Sequence, residues 1–588
     1  MDIDLALPDP AATAAAVGTE ALALAICGSG GAGAMRAGEI LLEATARAGL
    51  YGVMTRAMGP QIRGGEAAAL LRLAAAPVAA PADRFDLLIA IDWDNFARFA
   101  EELPLGPASL VLADPDQGPV PEAVARAGAR VAPLNCKALV RKIAGGRANM
   151  VALGAAAKLV GLPVGLIEEV VAAQLGRKGA EALAANREAL ALGAAADLPA
   201  LPRRLAEAGE RQPRWTLSGN QATGLGALAG GVRFVAAYPI TPATEVLEWL
   251  APALAETGGV LVQAEDELAA INMTIGAAFG GVPAMTATSG PGLALMTEAL
   301  GLAVASETPL VVVDVMRGGP STGIPTKSEQ SDLDIALHGM HGDAPHLVLA
   351  PNGIGDCRRT AEWAVGLAET LQAPALVLSD QAMGQSRAIL PPPPAAPRTP
   401  GRRVVAAGEA GYRRYLVTED GISAMARPGT AGGMHVADGL EHTERGAPSA
   451  AARDHAAQLD KRARKLEHFD FGPDWADAEG EGRIAILTWG SPTAAAHEAA
   501  RRARAAGVAV RVISLRLLLP AQPQRLAALL DGVDRALVVE QSHGRQFHRY
   551  LRAFYDLPAQ VSVFARPGPL PIRPGEILER LSLWKDAR

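Results

Sequence analysis

Residues 232–244 read VRFVAAYPITPAT: an apolar run, Val232–Ala237, followed at once by Tyr238-Pro239-Ile240-Thr241-Pro242-Ala243-Thr244. The run predicts a buried strand. The two prolines fix the backbone behind it and hold Thr241 outward at the sheet edge. Three more runs repeat the arrangement. Gly259–Gln263 leads into Ala264-Glu265-Asp266-Glu267, Pro283–Thr288 into Ser289-Gly290-Pro291-Gly292, and Leu310–Met316 into Arg317-Gly318-Gly319-Pro320-Ser321-Thr322-Gly323-Ile324-Pro325-Thr326. A fifth run is Ala375–Leu378. Taken singly, these loops read equally as a rigid turn, as acids complementing a helix dipole, or as a surface arginine in an ion pair. Taken together, polar loops at successive strand ends are the pattern of a parallel sheet that binds its ligand at one edge. Glu267 stands out because the segment after it, Leu268–Gly280, is almost uncharged, which predicts a carboxyl turned towards a dry interior. An arginine at a strand end before a glycine loop suits a carboxylate.

Strand–helix alternation extends to both ends. Residues 21–27 form an apolar run that ends in Gly28-Ser29-Gly30-Gly31-Ala32-Gly33, before a helical pattern over 34–49. This G-x-G-x-x-G turn suits an anion at a helix amino end. The next predicted strand, Tyr51–Met54, runs into Thr55-Arg56 and lacks the acid of a dinucleotide fingerprint. A phosphate or diphosphate of another ligand, or a turn with no ligand, remain as readings. Further strands are predicted near 87–91 and 109–112, and helices over 151–196. The fold class is therefore α/β, with three parallel-sheet domains: residues 18–190, a linker over 191–213, residues 214–390, and residues 395–588. Pro391–Pro394 forms the second break, and 395–480 is an irregular insertion with a charged helix near 450–468. Alternation resumes with strands at 484–488, 508–515 and 535–540 around a helix at 493–506.

Composition narrows the function classes. Of 588 residues 49% are apolar, enough for several large cores, and the net charge is −7. No block of like charges is long enough for a nucleic-acid or membrane surface; the basic run Lys461–Lys465 reads as a solvated helix face. Cys27, Cys136 and Cys357 are scattered, so this chain predicts no metal site, four-cysteine cluster or disulfide framework of its own, and a reducing compartment. The start, MDIDLALPDP, lacks a basic signal-peptide region, and no apolar span is evident; a cytoplasmic protein is expected.

YPITPAT, EDELAAINMTIGAAFGG, TSGPG and RGGPSTGIPT together resemble the 2-oxoacid:ferredoxin oxidoreductases. The resemblance covers nearly the whole chain. It implies a gamma domain fused ahead of an alpha subunit, made of a thiamine-binding pyrimidine-type domain and a transketolase C-terminal-like domain. RGGPSTGIPT with EDELAAINM is most similar to alpha subunits acting on 2-oxoglutarate. Carried over by residue, Glu267 would be the catalytic acid on N1′ of the thiamine aminopyrimidine. Pro239, Ile240 and Ser289 would help hold that cofactor, and Thr241, Arg317 and Thr326 the 2-oxoacid. Gly28, Gly30 and Gly33, with Arg56 nearby, look like the part facing coenzyme A.

The implied reaction is oxidative decarboxylation: carbon dioxide leaves, two electrons pass singly to an iron–sulfur cluster, and coenzyme A takes the acyl group, giving succinyl-CoA. The chain shows neither cluster cysteines nor the G-D-G frame for Mg²⁺ and the cofactor's diphosphate. The resemblance therefore implies an obligate beta subunit carrying Mg²⁺ and a [4Fe-4S] cluster and sharing the thiamine diphosphate. It implies an (alpha-beta)2 assembly and electron transfer to ferredoxin or a further electron-transfer subunit. The alternatives are the same chemistry on pyruvate or a branched-chain 2-oxoacid, a non-redox thiamine enzyme, an NAD dehydrogenase using Gly28–Gly33, and a non-catalytic scaffold.

Overall fold

A computed structural model describes residues 21–59, 65–176, 179–205, 212–393, 401–582 and 584. The start of the chain, residues 206–211 of the expected linker and Pro394 of the proline break lie outside the described residues. Three sheets organise the rest. The central one runs, in spatial order, Leu517–Leu519, Leu347–Leu349, Pro374–Asp380, Leu310–Met316, Ala284–Thr288, Phe234–Ala237 and Val260–Gln263. Every pairing in it is parallel except that of the edge strand 517–519. Strand 310–316 is buried at all positions, because helices cover both faces of a parallel sheet and leave no polar side. The third sheet orders Ala476–Glu479, Val510–Leu515, Ile484–Trp489, Arg535–Glu540 and Gln560–Ala565, and is parallel except for its first strand. Its inner side chains, Trp489, Leu515 and Val538 among them, join Val313 and Leu376 in a single apolar core with the central sheet.

The first sheet departs from uniform parallel pairing. Its order is 130–133, 110–113, 87–90, 22–29, 66–74, 51–58, 387–390 and 215–218. The four strands from 130–133 to 22–29 are parallel neighbours, and the rest pair antiparallel. Strand Glu66–Ala74 was not expected: its sequence, EAAALLRLA, is rich in helix formers, and burial against strands 22–29 and 51–58 overrides that preference. The outer strands Arg387–Leu390 and Trp215–Ser218 come from the segment that builds the central sheet, so one sheet crosses from the first unit into the second. Buried charge reinforces the junction. Lys327 of the second unit pairs with Glu102 of the first, and Arg72 of the first donates to both oxygens of Glu498 in the third at 2.6 and 2.8 Å.

The basic run is a correction. Lys461, Arg462 and Lys465, on helix Ala452–Glu467, are buried rather than solvated. Lys461 and Lys465 both donate to the buried carboxylate of Glu307, the latter at 3.1 Å, and Arg414 donates to the Glu307 carbonyl at 2.8 Å. Burial alone would push the Glu307 carboxyl up, but Lys461, Lys465 and Arg414 hold it well below the usual range. This cluster fastens the irregular segment to the central unit. Glu307→Gln leaves buried ammonium groups without a counter-charge, so we expect a stability loss of about 3–5 kcal/mol, read as a lower midpoint of urea unfolding.

Candidate active site

Strands 310–316, 284–288, 234–237 and 260–263 are consecutive in the central sheet and parallel, so their four following loops leave from one edge. Chain order reverses between strands 234–237 and 284–288: the first continues to a neighbour on one side, the second to a neighbour on the other. Such a reversal opens a crevice beyond the strand ends.

The loop after strand 234–237 is pinned from below. Asn220, almost fully buried, donates to the Pro242 carbonyl at 3.0 Å, and the Thr244 amide bonds the Ile240 carbonyl at 3.0 Å. Thr241 is left exposed, with Pro239 and Ile240 half-buried beside it. Arg317, at the end of strand 310–316, is 6% exposed and donates from Nη1 to the Thr241 carbonyl at 2.5 Å. Its Nε is buried without an acceptor, and its own carbonyl accepts from Ser331 Oγ at 3.1 Å. Burial lowers the Arg317 guanidinium from its ordinary value, against the pull of Asp332 and Asp314.

The three acids after strand 260–263 divide their work. Asp266 is the N-cap of helix Glu267–Phe279 and accepts from the Ala269 amide at 2.7 Å, and Glu265 is exposed. Glu267 turns inward and is 8% exposed. It lies against the start of helix Gly290–Ala305. A Cβ on Gly292 would stand 2.8 Å from Glu267 Oε1 and 2.1 Å from Thr288 Oγ1. Glycine at 292 is what allows the helix to approach this carboxyl. Ser289, N-cap of that helix, makes no capping bond; its Oγ and Thr286 Oγ1 are fully buried without partners. A buried carboxyl, a bare glycine cradle and unpartnered hydroxyls fit a flat ring that bears donors and acceptors on its edge, such as an aminopyrimidine. Among the described residues no three His, Cys, Asp or Glu side chains stand together as metal ligands.

The remaining candidates lie elsewhere. Thr326, its Oγ1 buried and unpartnered, and Arg56 line a cavity of about 560 Å³ between the three sheets, together with Lys327, Asn352, Ser491 and Gln541. Thr241, Glu267, Ser289 and Arg317 do not line it. Arg56 pairs with Glu245 at 2.9 Å on the helix that follows the Thr241 loop. In the loop holding Gly28, Gly30 and Gly33, the Ser29 amide and hydroxyl donate to Asp92 at 2.8 and 2.9 Å, and the Gly30 amide bonds the Gly65 carbonyl at 2.5 Å. Gly33 takes a left-handed φ of 85°, and its carbonyl accepts from Asn149 Nδ2 at 3.1 Å. An anion at this turn has to share it with the Asp92 carboxylate. Sequence reasoning passed over Asp314 and Asp332, which lie beside Arg317. The available signal was the lone acid within LVVVDVM, a strand otherwise wholly apolar.

Comparisons with known proteins agree with this layout. Residues 225–461 match the family model "Pyruvate flavodoxin/ferredoxin oxidoreductase, thiamine diP-bdg", residues 23–196 match "Pyruvate ferredoxin/flavodoxin oxidoreductase", and residues 476–583 match "Transketolase, C-terminal domain". The chain is similar to the 2-oxoglutarate synthase subunit KorA of Methanothermobacter marburgensis, with 36% identity over 62% of this chain and 97% of that one. It is 34% identical to the alpha subunit of 2-oxoacid:ferredoxin oxidoreductase 1 of Sulfurisphaera tokodaii over 67% of this chain and 65% of that one. Among solved structures it resembles 2-oxoglutarate:ferredoxin oxidoreductase from Magnetococcus marinus with 2-oxoglutarate, coenzyme A and succinyl-CoA bound. There the TM-score is 0.88 and the identity 37%, over 96% of this chain and 99% of that one.

The cradle at Gly292 makes a direct prediction. Gly292→Ala drives its methyl into Thr288 and Glu267 and costs about 1–3 kcal/mol. Gly301→Ala on the same helix, with no atom within 4 Å of the added carbon, is neutral or stabilising. Thermal unfolding of the two variants separates them.

Proposed function

The chain belongs to the 2-oxoacid:ferredoxin oxidoreductase family and is an oxidoreductase, and from that premise we propose that it is the pyrimidine-binding subunit of an enzyme acting on 2-oxoglutarate. The observation that carries this reading is the placement of Glu267, buried under Gly292, one loop away from the direct Arg317–Thr241 contact.

Each group does what its surroundings allow. Glu267 hydrogen-bonds N1′ of the aminopyrimidine, and its burial keeps bulk water from competing for that bond. Ser289, Pro239 and Ile240 close around the ring. Arg317 offers its free N–H groups to the carboxylate of the 2-oxoacid, and Thr241, held by the same guanidinium, directs its hydroxyl to the substrate's oxygens. Thiamine diphosphate, when bound, supplies the nucleophilic carbon and the electron sink that decarboxylation needs. Coenzyme A accepts the acyl group, giving succinyl-CoA and carbon dioxide. It approaches from the side of Arg56 and the Gly28–Gly33 turn, with Thr326 between the cavity there and the substrate.

The rest of the pocket belongs to a beta subunit that carries Mg²⁺, the grip on the diphosphate and a [4Fe-4S] cluster, from which electrons pass to ferredoxin. An (alpha-beta)2 assembly follows. The surface beside the site supports this reading. Helices 267–279 and 290–305 have one charged residue each, Glu267 and Glu298, and expose Leu268, Met273 and Leu295. An apolar face next to a half-built pocket suits a protein partner.

Chain and beta subunit, mixed with thiamine diphosphate, coenzyme A, 2-oxoglutarate and a viologen, are expected to reduce the dye; no reduction with any 2-oxoacid overturns the proposal. In the same assay Glu267→Gln lowers kcat about 10²- to 10⁴-fold. Arg317→Ala raises the KM for the 2-oxoacid about 10- to 150-fold, the worth of a hydrogen bond to a charged group.

A further inference from the structure

Beneath Arg317 lie two carboxyl groups that the proposed reaction does not use. Asp314 sits on strand 310–316, in register with Thr288 on one neighbouring strand and Leu378 on the other, and is fully buried. Neither of its oxygens meets an N–H or hydroxyl donor. The group within hydrogen-bond reach is the carboxyl of Asp332. Asp332 is fixed from the opposite side: its oxygens lie 2.6 and 2.7 Å from where a Cβ on Gly290 would stand, and Ser331 Oγ, which donates to the Arg317 carbonyl at 3.1 Å, lies 3.4 Å from Oδ1. Asp332 Oδ2 is also buried without a donor. Two carboxylates in contact and short of donors cannot both stay ionised, so one proton must lie between them.

We propose that Asp314 and Asp332 share a single proton beneath Arg317 and act as positioning residues. The pair balances the guanidinium while the site is empty and takes up a second proton from solvent when the carboxylate of a 2-oxoacid binds to it. The charges favour this. The empty site holds one positive guanidinium and one negative charge on the pair. A bound carboxylate adds a second negative charge beside two buried carboxyl groups, and protonation of the pair removes it. The inference rests on the proposed role of Arg317 in binding a 2-oxoacid.

Burial pushes the Asp332 carboxyl up to about 6, with Glu329 adding to the shift and Arg317 opposing it; burial and Asp332 raise Asp314 well above the ordinary range. The other charged groups around the pair are engaged elsewhere. Glu329 faces His543 and the Gly568 amide, Asp334 pairs with Arg549, and Asp380 on the neighbouring strand accepts from the Met383 amide at 2.8 Å. The first turn of the helix that begins at Gly290 brings no charge.

The sign follows from linkage. Below about pH 6 the second proton is already present, and the anion binds at no proton cost. Above it, binding must draw the proton from solution, so affinity falls as pH rises, by up to about tenfold per unit. The carboxylates of the 2-oxoacid are ionised throughout this range. In the viologen assay with the complete alpha–beta enzyme, KM for 2-oxoglutarate should therefore climb between pH 6 and 8. In the double variant Asp314→Asn with Asp332→Asn no carboxyl is left to take up the proton, and the KM profile should become flat while turnover persists. Either single variant keeps one carboxylate with the charge of the singly protonated pair and an amide as the weaker donor, so its profile should keep a slope with the midpoint displaced to higher pH. A purely structural role changes kcat or stability and leaves the slope in place. A flat wild-type profile, or a double variant that keeps the wild-type slope, overturns the proposal; if the double variant fails to fold, the wild-type profile and the midpoints of the single variants decide. Absence of turnover with every 2-oxoacid removes the functional reading itself and this inference with it, an outcome distinct from a flat profile.

Discussion

The parallel register of four neighbouring strands is the constraint on which the rest depends. Because 310–316, 284–288, 234–237 and 260–263 run the same way side by side, residues far apart in sequence reach one edge without any loop having to bend back. The ladder is stable only when both its faces are covered, which explains why strand 310–316 and its neighbours are buried at every position. Chemistry is thereby confined to the strand ends. Asp314 lies inside a strand, fully buried, with a second acid, Asp332, within hydrogen-bond reach and the Arg317 guanidinium opposing the rise that both impose on it.

At that edge the site is assembled by close approach more than by long side chains. Gly292 lets a helix start against Glu267, Gly290 leaves room for Asp332, and Ser289 gives up its usual capping bond. Each of these positions sacrifices local helix stability. The helix is held instead by its buried apolar residues, Leu293, Met296 and Leu300 among them.

Much of this was legible in the sequence because the relevant signals are local. Strand 310–316 has the same bounds by periodicity and by structure, and three of the four loops that follow the strands are punctuated by glycine or proline, the fourth by a run of acids. The division of labour among Glu265, Asp266 and Glu267 also shows in sequence, since only the last precedes an uncharged helix. What escaped depends on distant partners. Strand 66–74 has a helical composition and is extended only because two strands flank it. Lys461 and Lys465 look like solvated charges until Glu307, some 150 residues away, is placed opposite them. Arg56 and Gly28 show nothing of their partners in sequence: Arg56 bonds Glu245, 189 residues on, and Gly28 lies beside Asp92.

The eight-stranded sheet carries one more implication. Strands 215–218 and 387–390 extend the first unit's sheet with backbone from the second, and Arg387 is paired on both sides, with Met54 and with Ser218. A rotation of the first unit would have to shear that ladder, and the bidentate Arg72–Glu498 grip would have to open with it. The unit is thus not a hinged lid. Whatever enters the space between the sheets meets walls from the first and second units that this ladder ties to one another.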